Sequence, residues 1–196
     1  MANIVTVGRV FLALATLYLL WLPGETIRWI AFGLTVFVIY ADALDGYLAR
    51  KLKQSSKFGG ILDIAGDRVV EMAYWIAFAA LQWVAVWVPL LFLVRGTFVD
   101  AIRSFASEQG YTAFGERTMM QSALGKFLVA SNFSRFTYAA VKAFAFCFVI
   151  AAHTELLAKT IFPDVAIGLV YAACAFCLVR GLPVLAESKF LFVSEK

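Results

Sequence analysis

Crossing the hydrocarbon core of a bilayer takes about 20 apolar residues in a helix, and runs of that kind recur along the whole chain. The first predicted helix covers residues 4–22, with Arg9 near its start, where a long side chain can snorkel to the interface. Pro23-Gly24 breaks it, and Glu25 to Arg28 form a short loop. The second run covers 29–50 and the third 59–82, joined by Lys51 to Phe58. An uncharged link, Trp83 to Val88, precedes a fourth run at 89–107, which closes on Asp100, Arg103 and Glu108. The loop after it carries Gly110, Gly115, Glu116 and Arg117. The fifth run, 119–152, is too long for one simple span, and its start, with Lys126 and Arg135, is expected to project into the cytoplasm. His153 to Lys159 forms the next link, the sixth run covers 160–186, and Lys189 and Lys196 lie in the tail.

The pattern predicts an all-α, polytopic integral membrane protein with six transmembrane helices, read as a single domain over residues 1–196. The connector between the second and third helices holds Lys51, Lys53 and Lys57 and no acid, which assigns it to the cytoplasm by the positive-inside rule. Alternation from there places both termini in the cytoplasm. Links of a few residues predict a compact bundle.

Composition sharpens this picture. The 196 residues are 63% hydrophobic and 15% charged, against roughly 45–50% and 25% in a soluble domain. The mean hydropathy is +0.85. A soluble protein with one large core is therefore excluded. The 19 Phe and 5 Trp suit lipid-facing surfaces and interfacial belts. A net charge of +4 raises nucleic acid as a partner, but the basic residues fall in short segments between apolar runs. They are read as topology signals and contacts to anionic lipid headgroups, with no nucleic acid. No basic segment precedes the first apolar run and no clear cleavage site follows it, so the run is expected to be mature structure. Cys147, Cys174 and Cys177 all lie inside apolar runs and read as packing residues, because no further Cys or His cluster completes a zinc set.

The departure from apolarity that demands chemistry lies between Asp42 and Asp67. Asp42 and Asp45 are three apart and Asp63 and Asp67 four apart, so each pair shares one face of its helix. Two antiparallel helices joined by a short loop turn those faces together. Four like charges at one place need neutralising. Divalent cations with oxygen ligands do that, and two of them suit an in-line displacement at phosphorus. Gly46, Ala49, Gly59 and Gly60 leave room for a phosphate or flat group near the backbone, and Arg50 stands where it can clamp a phosphate. A proton or ion pathway in a transporter is the reading of another class, as is a salt-bridge network with Arg50 and Arg68. Neither needs the small residues at this spacing.

The stretch resembles the signature of the CDP-alcohol phosphotransferases, D-x2-D-G-x2-A-R-x8-G-x3-D-x3-D. Every fixed position is met, by Asp42, Asp45, Gly46, Ala49, Arg50, Gly59, Asp63 and Asp67. The resemblance implies a homodimeric integral membrane enzyme of phospholipid biosynthesis with two divalent cations, Mg2+ or Mn2+. Such an enzyme moves the substituted phosphate of a CDP-linked donor, CDP-diacylglycerol, to a polar alcohol and releases CMP. It implies Asp42, Asp45, Asp63 and Asp67 as metal ligands and Asp67 as the general base. Gly46, Ala49, Arg50 and Gly59 would border CDP. The implied location is a bacterial inner membrane, with the site facing the cytoplasm.

The region after the signature is similar to that of bacterial phosphatidylglycerophosphate synthases, through Arg95, Arg103, Glu108, Gly110 and Gly125-Lys126. Glycerol 3-phosphate is accordingly the first acceptor, and Arg103, Arg117, Lys126 and Arg135 are candidates to hold its phosphate. Gly96 stands where that subfamily has Glu, and Arg68 follows Asp67 where Lys is usual. Inositol phosphate, serine and choline thus stay open as acceptors. The single histidine, His153, lies at a helix end and is expected in an ordinary interface role. Glu71, one turn beyond Asp67, is expected to orient a ligand or Arg68, or to make a helix-packing hydrogen bond.

Overall fold

Helix ends in the computed structural model fall where the punctuation residues stand. It describes residues 2–51, 57–111, 118–189 and 191, with side chains at 5–42, 59–111, 118–189 and 191. The elements are α1 (Ala2–Leu19), α2 (Glu25–Lys51), α3 (Lys57–Ala80), α4 (Trp87–Glu108), a single turn α5 (Ala123–Gly125), α6 (Asn132–Ala152) and α7 (Phe162–Glu187). A π-turn, Lys126–Ala130, links α5 to α6. No strand occurs among the described residues, so the fold class is all-α. Of these helices, α6 and α7 are long and apolar enough to cross a membrane by length and composition, and Val5–Leu19 is a shorter apolar helix. α2 and α3, at 27 and 24 residues, carry the acidic motif within their length.

Residues 25–28, expected as a loop, form the first turn of α2, and the long fifth run differs further from the pattern. It does not form one helix. The Ser131 N–H bonds the Lys126 carbonyl five residues back at 3.1 Å, which widens the turn to a π-turn. Ser131 then turns extended, and its Oγ accepts the Ser134 N–H at 3.2 Å, an N-cap that starts α6 afresh. Ser122 caps α5 in the same way, accepting the Gly125 N–H at 2.8 Å. The stop of α1 also comes earlier than Pro23, because Leu20, Trp21 and Leu22 tighten into i−3 bonds.

The chain groups into two compact units: Met1–Pro89 with Ala143–Ile167, and Leu90–Lys142 with Gly168–Lys196. In the first, α1 packs on α2 and α3. Gly66 permits that approach, since a Cβ there would lie 3.0 Å from Thr6 Cγ2 and 3.4 Å from Val10 Cγ2. An aromatic core ties α3 to the second half of α6. The Tyr74 and Phe146 rings stack at 4.8 Å, Trp75 meets Phe146 edge-on at 4.8 Å, and the Tyr74 hydroxyl donates to Thr35 Oγ1 at 3.0 Å. Glu25 clips the start of α2 to the 153–161 link by accepting from Trp29 Nε1 at 2.9 Å and from the Glu155 N–H at 2.8 Å. The second unit is built on Val99, Ala106, Met119, Met120, Val129, Val184 and Leu191.

Two helices end in the same cap with different residues at its left-handed position. After α4, Gly110 (φ 85°) lets the Tyr111 N–H reach the Ala106 carbonyl at 3.0 Å. After α3, Gln82 holds φ 61° while the Trp83 N–H reaches the Phe78 carbonyl at 2.8 Å. A side chain at positive φ costs about 1–2 kcal/mol relative to glycine. Gln82→Gly is therefore expected to raise stability by about 1 kcal/mol, and Gly110→Ala to lower it by about as much. Melting temperatures of the two variants in one detergent give the check, and a Gln82→Gly variant less stable than the parent would reject the account.

Candidate metal centre

Asp42 comes from α2, and Asp63 and Asp67 from one face of α3. One carboxylate oxygen of each lies within 4.8 Å of the others. The side chains are 47%, 51% and 52% exposed, so the cluster is open on one side. The i,i+4 spacing puts Asp63 and Asp67 on one face of α3, toward Asp42 of α2. Asp45, Gly46, Ala49 and Arg50 lie on α2, but their side chains, like residues 52–56 of the basic connector, fall outside the described residues. Gly59 sits in the first turn of α3, half-buried.

The closed side of the cluster is filled by a residue the hydropathy pattern assigned to the interface. Arg9, on α1, does not snorkel outward. Its side chain is 5% exposed, and its guanidinium pairs with Asp42, donates to Asp67 at 2.5 Å and stands 3.8 Å from Asp63. The Gly66 contact explains its reach, because a Cβ at that position would lie 3.8 Å from Arg9 Nη2. A cation buried inside an apolar run is itself a signal of function, and Arg9 carried it in the sequence.

Whether divalent cations suit these residues can be tested on geometry. An octahedral shell at about 2.0–2.1 Å sets its oxygens about 2.9–4.2 Å apart. Three carboxylates within 4.8 Å need only small side-chain rotations to meet that. All the donors are hard oxygens, the set that suits magnesium and manganese. One turn on, Glu71 is buried and accepts from Arg68 Nη1 at 2.8 Å, which fulfils the expectation that it orients Arg68. His153 stacks on Trp83 at 4.1 Å and bonds the Val149 carbonyl through Nδ1 at 2.8 Å, a packing role. Burial pushes its pKa down from 6.5, with the nearby Arg28 charge acting in the same direction and the Val149 bond opposing both. The three cysteines are free thiols.

The second unit carries the candidate cations that are described. Arg103 is half-buried on α4, Lys126 is exposed at the start of the π-turn, Arg135 is exposed on α6, and Arg117 lies outside the described residues. The structure gathers Arg95 and Arg180 there, both buried, 5.9 and 5.5 Å from the centre of the Tyr138 ring, with Lys142 4.4 Å from the same ring. Arg180 donates to the carbonyls of Leu128 at 2.7 Å and Val129 at 3.2 Å, and to Ser134 Oγ. Its signal in the sequence was plain, since it is the one charged residue between Val165 and Ala186.

The structure thus gathers carboxylates of α2 and α3 that could hold a divalent cation, in an apolar all-α chain. The chain belongs to the CDP-alcohol phosphatidyltransferase family, whose model matches residues 1–179. It is similar to a CDP-diacylglycerol–glycerol-3-phosphate 3-phosphatidyltransferase of Pseudomonas fluorescens, 33% identical over 59% of this chain and 60% of the relative. It is also similar to a CDP-diacylglycerol–inositol 3-phosphatidyltransferase of Schizosaccharomyces pombe, 40% identical over 34% of this chain and 26% of the relative. A phosphatidylinositol phosphate synthase of Mycobacterium marinum is 29% identical over 47% of this chain and 39% of its own length. The chain thus spans about 60% or less of the length of these curated relatives.

Proposed function

We propose that this protein is an integral membrane transferase that moves the phosphatidyl group of CDP-diacylglycerol to glycerol 3-phosphate and releases CMP. The observation that carries the reading is the convergence of Asp42, Asp63 and Asp67 from α2 and α3, at the positions of the family signature. Two divalent cations, Mg2+ or Mn2+, would supply charge stabilisation at phosphorus and lower the pKa of the attacking hydroxyl. Asp42, Asp45, Asp63 and Asp67 would hold them. Asp67 takes the proton of the acceptor hydroxyl as its oxygen bonds phosphorus, and the bond from phosphorus to the CMP oxygen breaks. Gly46, Ala49 and Gly59 leave the backbone open to the nucleotide, and Arg50 pairs with a donor phosphate.

Six spans with both termini in the cytoplasm fit the helices found, with α5 and the π-turn as the membrane-surface start of the fifth. The basic connector after α2 supports a site facing the cytoplasm of a bacterial inner membrane. Family likeness supports a single functional domain and a homodimer. A phosphorylated acceptor is favoured over serine or choline by the cations of the second unit, with Arg95 and Arg180 buried at one tyrosine and Lys142, Arg135, Arg103 and Lys126 on the same unit. Arg117 is assigned there on sequence alone. Inositol phosphate shares that chemistry, and relatives of both kinds exist.

The test is an acceptor screen with protein in nanodiscs, following CMP release and identifying the lipid formed. Glycerol 3-phosphate with Mg2+ or Mn2+ is expected to release CMP and form phosphatidylglycerophosphate, and EDTA to stop it. Release with serine or choline but with neither phosphorylated alcohol would overturn the acceptor assignment. Ion flux without CMP release under any condition would put the transporter in its place.

A further inference from the structure

We infer that Arg9 is an internal counter-cation of the acidic cluster, and that divalent cations bind by displacing its guanidinium from the carboxylates. The inference rests on the metal reading proposed above and adds to it a residue of α1 that lies outside the signature. Asp42, Asp63 and Asp67 bring three negative charges within 4.8 Å of one another. Left alone they repel, and α2 would separate from α3 at this point. Arg9 prevents that from the buried side, pairing with Asp42 and Asp67 and standing 3.8 Å from Asp63. The atoms it engages are the Oδ1 oxygens of the same carboxylates. A divalent cation held among the same carboxylates would stand so close to the guanidinium that the two positive charges repel.

The arrangement is also incomplete as a permanent salt bridge. The Arg9 Nε is buried with no hydrogen-bond partner, so its guanidinium is not fully satisfied where it lies. The carboxylates, in contrast, are about half exposed. A doubly charged ion arriving from the open side offers them more charge at shorter range than the guanidinium does. As it engages, repulsion between like charges drives the Arg9 head away from the cluster, while its helix backbone stays packed at Gly66. Arg9 therefore does two opposed things. It keeps the ligands gathered when no metal is bound, and it lowers their affinity for metal.

The experiment measures Mn2+ binding by loss of the free-ion EPR signal, with purified full-length protein in nanodiscs and no substrate. Arg9→Met keeps the length of the side chain and removes its charge. It is expected to bind Mn2+ about tenfold more tightly than wild type. In EDTA it is expected to melt lower than wild type and to gain more from added Mn2+. Equal or weaker binding by folded Arg9→Met, with wild type binding normally, would overturn the inference and leave the metal centre standing. Absence of Mn2+ binding by wild type and variant alike would overturn the metal reading itself. Should Arg9→Met fail to fold, Arg9→Lys decides. Its ammonium is a point charge on a shorter arm that cannot span three carboxylates, so its affinity must exceed that of wild type, and an equal or lower affinity rejects the displacement.

Discussion

Asp67→Asn is expected to cut CMP release by about a hundred- to ten-thousand-fold, the usual contribution of a general base. The substitution is close to isosteric and leaves one oxygen where the carboxylate had two. That oxygen can still face the cluster, which retains Asp42 and Asp63 in place. The amide cannot accept the acceptor's proton. Donor binding is therefore expected to survive, with a dissociation constant for CDP-diacylglycerol within about threefold of wild type, less than 1 kcal/mol. The fall is expected in kcat and not in donor affinity. Asp42→Asn offers the contrast, since the proposal gives Asp42 a metal-holding role alone, and its loss should be recovered in part by raising Mn2+. Loss of Asp67→Asn activity that Mn2+ restores fully would show Asp67 to be a ligand only. Undiminished turnover would remove it from the site altogether.

How legible was this site in the sequence? The acidic positions were, because helical periodicity fixes which carboxylates share a face whatever else the chain does. The helix ends were mostly legible for a similar reason, since Pro23, Gly24 and Gly110 constrain the backbone directly. Arg9 was visible as a charge and misread as to direction. A helix tells which residues share its own face, but not which neighbouring helix that face meets. Gly66 held the missing fact, since its lack of a side chain lets α1 approach α3, and a glycine one residue before an acid of the signature reads equally as room for substrate. The fifth run is too long for one simple span, but its pattern does not show where it breaks. Its apolar composition runs unbroken, and Ser131-Asn132 looks like two tolerated polar residues until the capping bond to Ser134 is seen. Arg180 stands out in the sequence by its charge, but the pattern does not say what that charge serves. Its partners are carbonyls freed by the broken helix, and those arise only once the break is known.

The second large effect is expected at Arg180, and it follows from that break. A helix that stops at Ala130 leaves its last carbonyls without partners. Arg180 answers two of them, at Leu128 and Val129, and adds Ser134 Oγ on the helix that follows. One planar fork thus joins the end of the π-turn, the start of α6 and the body of α7, at a site 4% exposed. Arg180→Leu removes every one of these bonds and leaves buried acceptors unpaired. Relief of burying a charge offsets part of the loss. The net effect is expected to be a destabilisation of about 2–4 kcal/mol, from charge-assisted bonds worth about 1.5–3 kcal/mol each. In a chain of this size that lowers the melting temperature by about 5–15 °C. Arg180→Lys keeps the charge but cannot serve three acceptors held in a fork, so it should recover less than half. If Arg180 also gathers the acceptor's phosphate beside Arg95, the KM for glycerol 3-phosphate will rise in Arg180→Lys at temperatures well below its melting point, with donor KM unchanged. A lysine variant that melts lower but keeps the acceptor KM of wild type would confine Arg180 to closing the break. Wild-type melting in the leucine variant would show that the freed carbonyls find other partners.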